Sequence, residues 1–168
     1  HNTDIAGFEL AIRYSKFDAK DKKVFILGAG GVVSSLIIAL KNLGVSQIII
    51  SNRTKEKALE LKNNYKDLEI IEWGTTPDFD MAINATSLGL SNDDDEIKLD
   101  FKKIGSNKFF YDVIYNPSET NFLRKARENG NKTQNGKMMF IYQAHQAFTI
   151  WHKIMPEINE KTISLLNE

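Results

Sequence analysis

A glycine-rich segment at residues 28–33, with the sequence GAGGVV, directly follows an apolar run at residues 24–27 and opens a helical stretch. Gly28 allows a tight turn there, and Gly30 lets backbone N–H groups approach a pyrophosphate. The N-terminus of the next helix then presents its unsatisfied donors and its dipole to the anion. The pattern predicts a dinucleotide-binding loop, although Val33 stands where the usual fingerprint has a third glycine.

A second strand-like run, residues 47–50 with the sequence QIII, is followed by polar and cationic residues. Sites that prefer NAD place an acid at the end of this strand to bind the ribose 2′-hydroxyl, and no acid stands here. Arg53 instead offers a planar fork of donors that suits a phosphate dianion, and Lys57 adds a second cation. A hydrogen bond to a charged group contributes about 1.5–3 kcal/mol, or about a 10- to 100-fold preference. The sequence therefore favours NADP(H) over NAD(H).

Composition excludes several other kinds of chemistry. The chain has 168 residues, 22 Lys+Arg, 22 Asp+Glu and no Cys, which fits a single domain without a disulfide framework, a thiolate nucleophile or a Cys-ligated metal. The net charge of +0 disfavours a nucleic-acid partner. No apolar run approaches the roughly 18 residues of a membrane span, so no membrane partner is expected. The first residues show no export signal, and we expect a cytoplasmic protein with no metal site.

Short apolar runs alternate with helical patterns along the chain. Strands are expected at residues 24–27, 47–50, 68–73, 81–84 and 109–113. Helices are expected at residues 36–43 before Gly44, after the N-cap Thr54 with Glu56 in the first turn, from Ser118 to just before Gly130, and from about 137 to 155 before Pro156. This alternation predicts an α/β fold, a Rossmann-like three-layer domain with a mainly parallel sheet.

Two segments fall outside that alternation. Ile5, Phe8 and Ile12 form an apolar stripe on a helix expected at about residues 4–16. In the long helix at about 137–155, Met139 and Gln143 share one face, one turn apart. Both helices are expected to face another domain. The acidic run at residues 93–96 is interpreted as a solvated loop.

Six short motifs occur in an order that resembles the nucleotide-binding half of shikimate dehydrogenases. They are Asn2-Thr3-Asp4, GAGG at 28–31, NRT at 52–54, NATSLG at 84–89, Tyr111-Asp112 with Tyr115, and Gln143-Ala144. The resemblance extends from residue 2 to about residue 151 and makes residues 1–168 a single NADP-binding domain. It implies reversible hydride transfer between NADPH and 3-dehydroshikimate, giving shikimate.

The resemblance also implies a set of site residues. The cofactor would contact Gly28, Ala29, Gly30, Gly31 and Val32 at the pyrophosphate, Asn52, Arg53, Thr54 and Lys57 at the 2′-phosphate, Asn84, Ala85, Thr86 and Ser87 between adenosine and nicotinamide, and Gly136 and Met139 at the nicotinamide. The substrate would contact Asn2, Asp4, Tyr115 and Gln143, with Asp4 as the catalytic member of a Lys–Asp pair. Ile5 stands where the family often has Gly, and Lys57 where it often has Arg.

Members of this family begin with a substrate-binding domain that carries the catalytic Lys, whereas this chain resembles only their second, nucleotide-binding domain. We therefore expect a domain cut from a longer enzyme, inactive without the N-terminal substrate domain in cis. The alternatives are a quinate/shikimate dehydrogenase domain that uses NAD and a non-catalytic NADP-binding module. The sequence leaves open whether the protein is a monomer or a homodimer.

Overall fold

The computed structural model describes residues 2–91 and 97–164, and the acidic run at 93–96 lies outside the described residues. The strands are β1 (Lys23–Leu27), β2 (Gln47–Ser51), β3 (Glu69–Ile71), β4 (Met81–Asn84), β5 (Phe109–Asp112) and β6 (Lys132–Gln134). The helices are α1 (Thr3–Tyr14), α2 (Val33–Asn42), α3 (Lys55–Asn64), α4 (Phe101–Ile104), α5 (Asn121–Glu128), α6 (Lys137–His152) and α7 (Glu160–Ser164).

The six strands form one sheet in the order β3-β2-β1-β4-β5-β6, and every neighbouring pair is parallel. The chain extends the sheet in one direction from β1 to β3 and then in the other from β4 to β6. This reversal opens a crevice at the carboxyl ends of β1 and β4, where open α/β sheets bind ligands. The predicted fold class is confirmed.

Helices cover both faces of the sheet, which explains why its central strands are continuous apolar runs. On one face, Val24, Ile26 and Ile50 pack with buried residues of α1, α2 and α6. On the other, Phe25 and Phe110 pack with residues of α4 and α5. The domain therefore has the three layers that the sequence predicts.

Two predicted helix ends are wrong. Helix α5 has Thr120, not Ser118, as its N-cap, because the buried Thr120 hydroxyl accepts from the Leu123 N–H and also donates to Asp112. Helix α6 ends at His152 rather than near residue 155, because Lys153 has a φ of 54° in the left-handed region.

Other boundaries differ in smaller ways. The strand expected at 68–73 is limited to β3, and the helix expected at 36–43 begins earlier, at Val33. The sequence analysis missed β6, a polar three-residue strand at the sheet edge, and the short helices α4 and α7. Two predicted positions are confirmed. Glu56 lies in the first turn of α3, and Gly44 follows Leu43, the C-cap of α2, with a φ of 78°. Within residues 2–91 and 97–164, no helix combines the length and hydropathy that crossing a membrane requires.

Candidate functional site

A cleft of about 550 Å³ lies at the carboxyl ends of the central strands. It is lined by residues 27–30 after β1, residues 52–54 and 57 after β2, residues 73–75 after β3, residues 85–88 after β4, and residues 97–99. The cleft coincides with the reversal of strand order, so sheet topology and open volume identify the same place.

The glycine loop forms the floor of this cleft. Gly28 has a φ of 116°, and a Cβ there would lie 2.7 Å from the Ala85 carbonyl oxygen, so the turn requires glycine. A Cβ on Gly30 would meet only that same oxygen, at 3.9 Å, and would otherwise point into open space. Helix α2 begins with Val32 at its N-cap and has no side-chain capping bond. Its first N–H groups therefore suit an anion, as the sequence predicts.

The fingerprint's third glycine is replaced by Val33, and the burial of Val33 shows how the fold accommodates it. Its side chain is fully buried in the core cluster that α2 shares with the sheet. That glycine normally allows close packing of helix and strand, and here the packing accommodates a valine.

The end of the cleft after β2 is cationic. Arg53 and Lys57 line it, and neither forms an ion pair with any residue in the part of the chain that the structure describes. Lys55, in contrast, pairs with Glu72 and does not line the cleft. The Asn52 amide donates to the Thr54 carbonyl at 2.6 Å and so holds the turn that carries Arg53. This end of the cleft is suited to bind a doubly charged phosphate.

The cleft is also lined by residues that the sequence analysis missed. Trp73, Gly74 and Thr75 follow β3, and Lys98 approaches from the segment before α4. The position of Trp73 just after a strand of a parallel sheet was the available signal, since such strand ends line the ligand crevice. Lys98 had no comparable signal in the sequence.

Asn84 is fully buried and is not among the residues that line the cleft. Its Oδ1 accepts from the Thr86 N–H at 3.0 Å and from the Thr86 hydroxyl at 2.7 Å, while its Nδ2 donates to the Leu88 carbonyl at 3.1 Å. The side chain therefore shapes the loop that brings Ala85, Thr86 and Ser87 to the cleft.

The same Asn84 amide donates to both carboxylate oxygens of Asp112, each at 3.1 Å. Asp112 also accepts from the Ile114 N–H at 3.0 Å and from the Thr120 hydroxyl at 2.6 Å. Burial raises the pKa of Asp112, although these donors act in the opposite direction. The buried carboxylate thus joins the ends of β4 and β5 to the start of α5.

Asp4 and Gln143, two of the residues predicted to face the substrate, meet where α1 crosses α6, outside the residues that line the cleft. The Gln143 amide donates to Asp4 Oδ1 at 2.5 Å, so the structure brings these two predicted residues together. A Cβ on Gly7 would lie 2.6 Å from Gln143 Cγ and 3.0 Å from the Met139 carbonyl oxygen. Gly7, which the sequence analysis missed, therefore allows the close helix crossing that forms the pair.

Asn2 contacts two neighbours through its side chain. Its Oδ1 caps α1 by accepting from the Asp4 N–H at 2.9 Å, and its Nδ2 donates to the Ser35 hydroxyl of α2 at 2.9 Å. Asn2 therefore orients the first turn of α1, which carries Asp4. Any contact of Asn2 with a substrate stays a prediction.

Gly136 and Tyr115 lie at the start of α6. A Cβ on Gly136 would lie 2.1 Å from the Val113 carbonyl oxygen, so no side chain fits there. The Tyr115 ring stacks on Phe140 of α6 with a centroid separation of 4.7 Å and remains 42% exposed. The start of α6 is thus fixed against the end of β5, with one aromatic ring accessible to a ligand.

Comparisons with known proteins agree with this geometry. The model of the family described as shikimate / quinate 5-dehydrogenase matches residues 9–88. The chain is similar to the shikimate dehydrogenase (NADP(+)) of Pelagibacter ubique, with 59% identity over 99% of this chain and 62% of that protein. It therefore spans about three fifths of the length of this curated relative.

Solved structures show the same relationship. Shikimate dehydrogenase from Aquifex aeolicus matches with a TM-score of 0.85 and 31% identity, over 99% of this chain and 61% of that one. The Thermus thermophilus enzyme, in complex with NADP(H) and shikimate, matches with a TM-score of 0.81 and 28% identity, over 98% and 61%. A quinate dehydrogenase from Corynebacterium glutamicum, in complex with NAD, matches with a TM-score of 0.82 and 26% identity, over 99% and 60%.

The buried carboxylate of Asp112 leads to a prediction about pH. Because its pKa is raised on folding, its contribution to stability is complete below the unfolded pKa of about 3.9 and is lost as the pH rises through the folded value. We expect the free energy of unfolding of the wild type, minus that of Asp112→Asn, to fall as the pH rises above the unfolded value of about 3.9 and to level off once the folded value is passed. Urea unfolding at several pH values measures this difference.

Asp78→Asn is the matched control, because Lys23 lowers the pKa of the exposed Asp78. The corresponding difference for Asp78 should rise slightly or stay constant with pH. A difference for Asp112 that rises with pH would contradict the assignment of its raised pKa to burial.

Proposed function

This chain belongs to the shikimate dehydrogenase family, and we propose that it forms the NADP-binding domain of a shikimate dehydrogenase. The enzyme would be an oxidoreductase that transfers hydride reversibly between NADPH and 3-dehydroshikimate, giving shikimate. The observation that carries the proposal is the cationic end of the cleft, where Arg53 and Lys57 stand free of ion pairs among the described residues. The name of the Pelagibacter relative, shikimate dehydrogenase (NADP(+)), includes the same cofactor.

The cleft has features that suit the phosphate groups of a dinucleotide. The uncapped start of α2 and the open space at Gly30 suit a pyrophosphate, and Arg53 with Lys57 suits a 2′-phosphate. Thr86 and Ser87 line the part of the cleft after β4. Gly136 and Met139 at the start of α6 would bind the nicotinamide end. When bound, NADPH supplies the hydride.

Reduction of a ketone also needs a proton at the carbonyl oxygen, and Asp4 would help to supply it. In the structure its Oδ1 accepts a hydrogen bond from Gln143, as a carboxylate does. Such a carboxylate can orient a neighbouring ammonium and favour its charged form, so that the ammonium gives the proton. We propose that this ammonium belongs to a Lys of the N-terminal domain, and that Tyr115, Gln143 and Asn2 contribute to the substrate site.

The partner of this domain would be that substrate domain, joined in cis. The exposed side of α6 and the turn after it carry large apolar side chains, of which Trp151 is 80% and Met155 75% exposed. An apolar surface of this kind favours contact with another protein surface. The chain spans about three fifths of its relatives' length, which leaves room for such a domain. We propose that α1 and α6 face it and that residues 1–168 form one domain.

A quinate/shikimate dehydrogenase that uses NAD is the second candidate, favoured by the similarity to the NAD-bound quinate dehydrogenase. The cations after β2 and the lack of an acid there favour NADP instead. The third candidate is a non-catalytic NADP-binding module.

A reaction that uses NADPH needs a compartment that supplies it, and we propose the cytoplasm. The proposal holds for a monomer or a homodimer.

The first prediction separates the two cofactors. Arg53→Ala should weaken NADPH binding by about 10- to 100-fold and leave NADH binding within about twofold, because only NADPH has the 2′-phosphate. Lys55→Ala is the matched control, since Lys55 is a nearby cation that pairs with Glu72 and does not line the cleft. Calorimetric titration of both cofactors measures the effect. Equal losses of the two cofactors in Arg53→Ala would contradict the proposed phosphate contact.

The second prediction concerns the floor of the cleft. Gly30→Val should abolish binding of both NADPH and NADH, because its methyl groups would occupy the space of the pyrophosphate. The protein should still fold, because the added Cβ meets only the Ala85 oxygen, at 3.9 Å. Circular dichroism checks folding, and titration checks binding. Retained affinity in a folded variant would show that the phosphates bind elsewhere.

The third prediction concerns the substrate domain. The 168-residue chain should bind NADPH but reduce 3-dehydroshikimate at least 10²- to 10⁴-fold more slowly than a protein that carries the N-terminal domain, since a general acid contributes about that factor. In the longer protein, Asp4→Asn should lower kcat far more than it changes NADPH affinity. Steady-state kinetics with both proteins measures this. Equal turnover by the isolated chain would refute the two-domain mechanism.

A further inference from the structure

We propose that Ser35 is a positioning residue for the reaction. Through Asn2, its hydroxyl fixes the first turn of α1, and with it Asp4, relative to α2, the helix that starts at the cofactor cleft. This inference rests on the proposed function, because it assigns a catalytic purpose to the place of Asp4.

The hydrogen bonds form a continuous chain from one helix to the other. Ser35 lies in the first turn of α2, and only 4% of its surface is exposed. Its Oγ accepts from Asn2 Nδ2 at 2.9 Å, and Asn2 Oδ1 accepts from the Asp4 N–H at 2.9 Å. A single planar amide thus joins α2 to the backbone of the residue that carries the carboxylate.

Other contacts restrict α1 from different directions. The Gln143 amide holds the Asp4 carboxylate from α6 at 2.5 Å, and the lack of a side chain at Gly7 allows that approach. One turn after Asp4, the buried Phe8 packs edge-on against Tyr111 of β5, with ring centroids 5.2 Å apart. These contacts set the distance of α1 from α6 and the sheet. Among the described residues, the Asn2–Ser35 bond is the side-chain hydrogen bond that joins the first turn of α1 to α2, whereas the Asn42 amide donates to Glu9 at 2.7 Å farther along the two helices.

This tie has a chemical consequence. The start of α2 would hold one reactant, and Asp4 would act on the other, so their relative position decides whether the reacting groups meet in a productive geometry. A misplacement of about 1 Å can lower a rate by about 100-fold. Since the bond is between two neutral groups, we expect its loss to have a smaller effect, about 3- to 10-fold.

The neighbouring serine provides a matched control. Ser34 is also in the first turn of α2, is only partly buried, and makes no side-chain hydrogen bond with the described residues. In the enzyme that carries its substrate domain, Ser35→Ala should lower kcat by about 3- to 10-fold and leave the KM for NADPH within about twofold. Ser34→Ala should change neither constant.

A double variant distinguishes positioning from a general loss of stability. If Ser35 acts through Asp4, Ser35→Ala should lower kcat in the wild type but have no further effect in an Asp4→Asn background. In the 168-residue chain, Ser35→Ala should also speed hydrogen exchange of the Asp4 amide, which Asn2 caps. Exchange in β1, β4 and β5 should stay unchanged.

Three results would overturn the inference. They are equal kcat values in Ser35→Ala and Ser34→Ala, a fall in kcat of the same size in the Asp4→Asn background, and a uniform increase in exchange across the sheet. Absence of NADPH-dependent turnover in the unsubstituted longer protein would overturn the proposed function and this inference together. Normal turnover with no difference between the two serine variants would overturn this inference alone.

Discussion

The contact between Asn84 and Asp112 holds together the carboxyl ends of β4 and β5, on which much of the site depends. The Asn84 amide spans both oxygens of the buried carboxylate, and its own carbonyl oxygen holds Thr86. The carboxylate in turn binds the start of α5 through Thr120. Burying a carboxylate costs free energy unless hydrogen-bond donors surround it. Here the donors come from the end of β4, the loop after β5 and the start of α5. These hydrogen bonds thereby specify one arrangement of the loops after β4 and β5.

The fold could be predicted largely because its central strands are buried on both faces. Such strands are mostly apolar, and residues 24–27, 48–50 and 81–83 show this directly. Edge strand β6 gave no such signal, since it reads Lys-Thr-Gln and has partners on one side only. Local patterns also placed the start of α5 at Ser118, because either hydroxyl could cap a helix. Thr120 is the cap because its hydroxyl also donates to Asp112, a tertiary contact that the local helix-capping pattern does not show.

Local sequence revealed the cofactor cleft better than it revealed the contacts of α1 with α6 and α2. Gly28, Gly30 and Arg53 act through backbone shape and charge immediately after a strand, so their types and spacing predict their positions at the cleft. Gly7 and Ser35 matter only because α1 crosses α6 and approaches α2. A glycine inside a helix and a serine in a first turn are ordinary when the neighbouring helix is unknown. Tertiary contact is what gives them a role.

The distribution of contacts is also consistent with the proposal that this domain binds a cofactor and depends on another domain for chemistry. The walls of the cleft come from consecutive βα units, so the chain completes them by folding alone. Asp4 and Gln143 instead lie on α1 and α6, and neither they nor Tyr115 line this cleft. Their geometry is nevertheless fixed in advance by Asn2 and Gly7. A domain that packs on the apolar side of α6 would therefore meet a carboxylate already oriented relative to the cofactor cleft, so its own contribution reduces to the proton donor and the remaining substrate contacts.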